Sequence, residues 1–147
     1  VAGVTAGPGG WQSLHAGCVA FEGRGLLIVG PSGSGKSALA LQLMAYGATL
    51  VADDRTEIQN HKGVLIARSP ETIRGLIEAR GIGLLNADSL PYAPLALAVD
   101  LGHADAARLP QSHNITLLGV TLDLVRATPA PHLAAALLQY LRAGRHS

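Results

Sequence analysis

Cysteine is nearly absent from this sequence. Cys18 stands alone among 147 residues, so no intrachain disulfide can form, and the expected state of Cys18 is a small buried thiol in a reducing, cytosolic compartment. Aromatic residues are also few. Trp11, Phe21, Tyr46, Tyr92 and Tyr140 are the whole set, too few for the stacking platforms that bind single-stranded nucleic acid. Lysine and arginine total 11 against 10 acids, a formal charge of +1, which excludes a broad basic surface for duplex nucleic acid or anionic lipid. The longest apolar runs, such as 133–138, fall far short of the ~20 residues that cross a bilayer. No basic segment leads into an apolar one at the N-terminus, so no secretion signal is visible. What is abundant is aliphatic: Ala and Leu supply 24 residues each, enough for the core of one compact domain at the usual ~100–200 residues per domain.

Residues 1–10 hold four Gly and one Pro without a periodic apolar pattern, so 1–12 reads as a loose leader and 13–147 as the folded domain. Residues 13–20 and 26–30 are β-like runs around Glu22-Gly23-Arg24-Gly25, a hairpin signal. Residues 37–46 carry Leu39, Leu43 and Tyr46 at helical spacing and stop at Gly47, which suits a left-handed cap. Thr49–Ala52 reads as a buried strand. Residues 55–60 and Val64–Arg68 flank His61-Lys62-Gly63 as a second hairpin. Ser69-Pro70-Glu71 has the form of a helix start, with serine as cap, proline at the first helical position and an acid in the first turn. That helix is expected to run to about Ala79, before Gly81 and Gly83 interrupt it. Residues 82–85, 95–101 and 115–125 read as later strands, and 131–141 as a closing helix. Strands that only partly alternate with helices predict an α/β domain whose mixed sheet contains hairpins.

One segment carries specific chemistry. Gly30-Pro31-Ser32-Gly33-Ser34-Gly35-Lys36-Ser37 matches the Walker A pattern G-x-x-x-x-G-K-[ST] at every fixed position, and a chance match somewhere in such a chain is roughly one in a hundred. The context fits, since the apolar strand Leu26-Leu27-Ile28-Val29 enters the motif and a helix leaves it. Glycines let successive backbone N–H groups turn inward around phosphate oxygens, and the helix presents its positive end to the same anion. Lys36 is placed to reach the β- and γ-phosphates, and Ser37 to ligate magnesium.

A second feature is Leu50-Val51-Ala52-Asp53-Asp54, an apolar strand ending in two acids. If it follows the P-loop helix by a right-handed crossover, both acids face the phosphate site from the same sheet edge. One carboxylate can then hold Mg²⁺ while the other accepts a proton from an incoming hydroxyl. Adjacent carboxylates repel, so a nearby cation must help keep both ionised. His15 gains interest from hairpin arithmetic. With Gly23-Arg24 as a two-residue turn, paired positions sum to 47, Val29 faces Cys18, and His15 lies level with Ser32, where it can orient an acid or contact phosphate. The remaining histidines show no metal-ligand spacing. The stretch Ile77-Glu78-Ala79-Arg80-Gly81-Ile82-Gly83-Leu84-Leu85-Asn86 reads by itself as a helix end entering a Gly-bearing turn, with an ordinary exposed ion pair.

Taken together, these segments resemble the catalytic domain of HPr kinase/phosphorylase, the bacterial enzyme that phosphorylates a serine of the phosphocarrier protein HPr. The likeness runs from about Ser13 to Val125. It rests on His15 in the strand before the P-loop, the P-loop itself, Val51-Ala52-Asp53-Asp54, and a signature like L-E-I-R-G-I-G-I-I-N at Ile77 to Asn86. The resemblance implies a P-loop kinase fold related to that of phosphoenolpyruvate carboxykinases, ATP and Mg²⁺ as cofactors, and HPr as protein substrate. It implies Asp54 as base toward the serine hydroxyl, with Asp53 and His15 beside it, and Ser37 and Glu78 as Mg²⁺ ligands. It also implies the reverse reaction, phosphorolysis of the seryl phosphate. The family's D-R-L-G stretch, whose arginine serves that reaction, stands here as Ala107-Arg108-Leu109-Pro110, retaining Arg108 without the acid. The family's basic P-x-R-x-G-R-N stretch has no counterpart at Thr128-Pro129-Ala130-Pro131-His132-Leu133. The chain looks like a short form lacking the N-terminal domain of the long members, which form hexamers through their catalytic domains. Two rival readings keep the nucleotide site: a regulatory module that senses nucleotide or phosphate without efficient turnover, and a small-molecule P-loop kinase in which Arg68, Arg74 or Arg80 serves a lid.

Overall fold

A computed structural model of the chain describes residues 5–6, 10–103 and 111–146. In chain order the elements are β1 (Thr5–Ala6), β2 (Gln12–Leu14), β3 (Gly17–Phe21), β4 (Arg24–Val29), α1 (Lys36–Ala45), β5 (Thr49–Ala52), β6 (Thr56–His61) and β7 (Val64–Arg68). A 3₁₀ turn (Glu71–Ile73) precedes β8 (Leu76–Ala79), β9 (Gly83–Asn86), β10 (Ala93–Asp100), β11 (His113–Leu117), β12 (Val120–Arg126) and α2 (Leu133–Ala143). The expected α/β domain with a mixed, hairpin-containing sheet is what forms. Trp11, only 9% exposed, and Gln12 in β2 belong to the packed fold and not to the leader expected over 1–12; residues 1–4 and 7–9 lie outside the described residues.

The main sheet runs β1-β2-β6-β7-β10-β4-β3-β5, with β12 on β10 and β11 on β12. Strands β4, β10 and β12 are parallel neighbours. β3 is antiparallel to β4 and β5 is antiparallel to β3, so β5 points the same way as β4. That arrangement brings the C-terminal ends of β4 and β5 to one edge, as the sequence reading required. β2 and β3 are separated only by His15-Ala16 yet lie far apart in the strand order, so the sheet folds back on itself. Asp53-Asp54-Arg55 makes the reverse passage, from β5 to β6. The buried Thr56 hydroxyl donates to the Ala16 carbonyl at 2.9 Å and ties the two passages together.

Side chains alternate between two cores along the inner strands. Leu26 and Ile28 of β4, Val19 of β3, Leu50 of β5 and Leu97 and Val99 of β10 pack under α1 and α2. Leu27 and Val29, Cys18 and Ala20, Val51 and Ala98 face the other way, against Leu14, Ile58 and Leu65 from the folded-back half of the sheet and Leu122 of β12. Burial on both faces explains why these strands read as unbroken apolar runs.

Four expectations are corrected. The run 13–20 is two strands broken at His15-Ala16. The first hairpin turns on Glu22-Gly23, with φ of +51° and +78°, so paired positions sum to 45, as in Phe21↔Arg24, and Cys18 faces Leu27 rather than Val29. The run 115–125 is a hairpin, β11–β12, turning at Leu118-Gly119. The helix expected from Ser69 to Ala79 is a short 3₁₀ turn followed by β8. Gly75 at φ +72° ends the turn, and the alternation of buried Ile77 and Ala79 with exposed Glu78 is a strand pattern. Among the described residues no helix is long and apolar enough to cross a membrane.

Candidate active site

The P-loop starts where β4 leaves the core and ends where α1 begins. Gly35 stands at the N-cap with φ +99°, contributes no side-chain cap, and is followed by no acid in the first turn of α1. The unpaired N–H groups of this helix start are therefore left to an external anion, which the helix dipole also favours. Lys36 is 9% exposed and donates to the carbonyl oxygens of Gly30 at 2.8 Å and Pro31 at 3.1 Å. Burial pushes its ammonium below the ordinary lysine value, while the charges of Asp54 and Asp53 pull it back upward.

The two acids after β5 have opposite surroundings. Asp53 is 5% exposed; its Oδ1 accepts from the Ser37 hydroxyl at 2.7 Å and its Oδ2 from the Glu78 backbone N–H at 2.9 Å. Both of its oxygens are thus committed to holding α1 and β8 together. The Asp54 side chain is 71% exposed, its backbone is left-handed at φ +67°, and its Oδ1 lies 2.9 Å from His15 Nε2. His15 and Asp54 sit on the two adjacent passages between the halves of the sheet. The strand break at His15, which interrupts the expected β run, is what turns its imidazole toward the acid.

The third wall is the β8–β9 ribbon, a two-stranded sheet of its own. It carries Glu78, Ala79, Arg80 and Ile82 to a cleft of about 510 Å³ that is also lined by His15, Ser32, Gly33, Gly35, Lys36, Ser37, Ala38, Leu41 and Asp54. His15, Lys36, Ser37, Asp54 and Glu78, named from the sequence, therefore meet in one place. Gly30, Pro31, Ser34 and Asp53 stand behind the lining, and Arg108 lies outside the described residues. Sequence reasoning missed Ala38, Leu41 and Ile82 as lining residues. Leu41 falls outside the Leu39/Leu43 stripe, a signal the sequence does carry, whereas Ile82, apolar yet 78% exposed, stands out only in the fold.

The residues present fit a magnesium nucleotide. The bare helix start and Lys36 suit phosphates, and the Ser37 hydroxyl with the exposed Glu78 carboxylate supplies oxygen donors for an ion that keeps several waters and phosphate oxygens around it. Among the described residues no group of three or more His, Cys, Asp or Glu gathers as a metal site.

Comparison with known proteins agrees with this geometry. The family described as "HPr Serine kinase C-terminal domain" matches residues 10–92. A protein named HPr kinase/phosphorylase from Halalkalibacterium halodurans is 43% identical over 97 residues, covering 60% of this chain and 31% of its own length. One of the same name from Geobacillus is 47% identical over 97 residues, with the same coverage of 60% and 31%. One from Clostridium beijerinckii is 44% identical over 77 residues, covering 52% of this chain and 26% of its own. The chain thus spans about a third or less of the length of these relatives. A solved structure titled HPr(Ser) kinase/phosphatase, from Coxiella burnetii, superposes with a TM-score of 0.77 at 22% identity, covering 89% of this chain and 88% of its own, which shows a shared fold. With its P-loop, its paired acids and its ribbon in the matched segment, the chain belongs to the HPr serine kinase C-terminal domain family.

Proposed function

We propose that this chain is an ATP-dependent protein-serine kinase domain acting on the phosphocarrier HPr. The observation that carries the reading is the convergence of the His15–Asp54 pair on the same cleft as Lys36, Ser37 and Glu78. Asp54 accepts the proton of the serine hydroxyl, and its exposure leaves the carboxylate accessible to an acceptor. His15 holds that carboxylate in place from 2.9 Å and is a positioning residue. Lys36 and the helix-start N–H groups bind the phosphates and stabilise charge on the group in transit. Ser37 and Glu78 are the residues that would hold magnesium, which would supply charge neutralisation at the phosphates, and Asp53 orients Ser37 through a 2.7 Å hydrogen bond. Arg108 is assigned to phosphorolysis, a separate reaction in which inorganic phosphate takes the phosphoryl group from the seryl phosphate to give pyrophosphate and the proton it gives up returns to the serine oxygen.

Transfer of labelled phosphate from ATP with Mg²⁺ to purified HPr, beside HPr whose target serine is replaced by alanine, tests this. Label on the serine form alone is the expected result. No label on either form, with nucleotide binding confirmed in the same preparation, rejects the kinase reading.

A further inference from the structure

A cavity of about 200 Å³ shares no lining residue with the phosphate cleft. α2 starts beside the P-loop, where a Cβ on Gly35 would meet Pro129 at 3.3 Å, and the cavity lies at its other end, roughly 16 Å along a helix of 11 residues. Three separate stretches of chain line it with polar residues. Ser112 and His113 come from the start of β11, Asp123 from β12, and Tyr140, Arg145 and His146 from the end of α2 and the residues after it.

The wall is rich in donors. Arg145 carries a guanidinium, His113 and His146 keep at least one ring N–H in either protonation state, and Ser112 and Tyr140 carry hydroxyls. Burial, and after it the charge of Asp123, push the Tyr140 phenol above its usual value against the opposing pull of Arg145. Tyr140 therefore stays a donor, and its hydroxyl donates to Asp123 Oδ2 at 3.4 Å. The negative end of the α2 dipole is muted, because the carbonyls of Leu141 and Arg142 accept from Arg24 and that of Tyr140 from the Gly144 N–H. Such a wall suits an oxyanion, and Asp123 decides which one. An ionised carboxylate only accepts hydrogen bonds, so an anion bound beside it must carry a proton of its own. At neutral pH inorganic phosphate keeps a P–OH. Sulfate has none, and neither does a phosphomonoester dianion, whose last proton leaves near pH ~6.

We propose that this cavity binds inorganic phosphate as the hydrogen phosphate ion, with Arg145 and His146 donating to its oxygens and Asp123 accepting from its P–OH. The site is independent of the kinase reading. Equilibrium dialysis with radiolabelled phosphate at pH ~7.5, in saturating MgADP so that the P-loop is occupied, tests it. One phosphate per chain is expected to stay bound beside the nucleotide. Arg145→Ala and His146→Ala are each expected to weaken it at least about tenfold, with MgADP affinity and melting temperature unchanged. Sulfate and glycerol phosphate in about tenfold excess are expected not to displace it from the wild type, whereas in Asp123→Asn, whose amide donates to an unprotonated oxygen, sulfate is expected to compete. No phosphate bound beside MgADP overturns the site. Phosphate that is held equally well by Arg145→Ala and His146→Ala overturns it too, and assigns that ion to the cleft. Sulfate that displaces phosphate from the wild type as readily as phosphate itself overturns the selection by Asp123 and the ligand with it. A chain that binds no MgADP refutes the nucleotide reading alone, and the same two variants then decide the phosphate site.

Discussion

Replacing each of the two neighbouring acids in turn separates latch from base. Asp53 accepts two hydrogen bonds, from Ser37 and from the Glu78 N–H, in a site 5% exposed. Hydrogen bonds to charged groups contribute about 1.5–3 kcal/mol each, and a buried donor left without a partner costs about 1–3 kcal/mol. Asp53→Ala is therefore expected to lose about 3–5 kcal/mol of folding stability, which for a chain of this size lowers the melting temperature by about 10–16 °C. Asp54 is different. Its contact to His15 is solvent-exposed, so an exposed pair of this kind contributes at most about 1 kcal/mol, and asparagine tolerates the left-handed backbone. Asp54→Asn is expected to change stability by less than about 1 kcal/mol while phosphoryl transfer to HPr collapses and MgADP still binds. Urea unfolding followed by the fluorescence of Trp11, the single tryptophan, measures both variants. An Asp53→Ala loss below about 1 kcal/mol, or an Asp54→Asn loss equal to it, refutes the division of roles.

Removing the Lys36 ammonium with Lys36→Met is expected to weaken MgADP binding about 100-fold, or about 3 kcal/mol, read by calorimetric titration. Because burial holds the Lys36 pKa below the ordinary 10.5, wild-type affinity for nucleotide falls as pH rises through that lowered value, before an unperturbed lysine would lose its charge; a fall no earlier than that of an unperturbed lysine contradicts this. Burial also pushes the Cys18 thiol up to about 12 from 9.0. Above pH ~9 the unfolded chain releases this proton while the folded chain keeps it, so stability falls with rising pH across that window. Thiol labelling at pH ~8 is accordingly expected only through unfolding, and its rate should track urea concentration. In Gly30→Ala a Cβ meets Ser34 Oγ at 2.7 Å and Leu101 Cβ at 3.3 Å, with φ at +151°; a loss of about 1–3 kcal/mol in thermal unfolding, together with lost nucleotide binding, is expected.

The legible parts of the fold are those written in local chemistry. Thr49–Ala52 and Val64–Arg68 have the bounds expected of them, and α1 starts one residue before its expected position, because glycine turns and apolar runs bound them on both sides. The P-loop was legible for the same reason, since its spacing is itself the mechanism. The ribbon was not. Ser69-Pro70-Glu71 carries helix-start chemistry that fits a single 3₁₀ turn as well as a helix, and the decision falls to the packing of Ile77 in the core. The left-handed Leu118, at φ +48°, hides the β11–β12 turn because leucine is no turn signal. The hydrogen bond from the Glu78 N–H to Asp53 spans 25 residues, and no periodicity encodes it. Resemblance to a family named Glu78, and the tertiary fold explains how it arrives.

The corner at His15 and Asp54 has a mechanical meaning. Each residue rides on a short link between the same two halves of the sheet, and their 2.9 Å contact closes the gap between those links. The Thr56–Ala16 hydrogen bond joins the same two links, and β10, which pairs with both β7 and β4, ties the halves together a second time. The aim of the Asp54 carboxylate is thus set by the junction of the two halves, and not by the strand that leads to it alone.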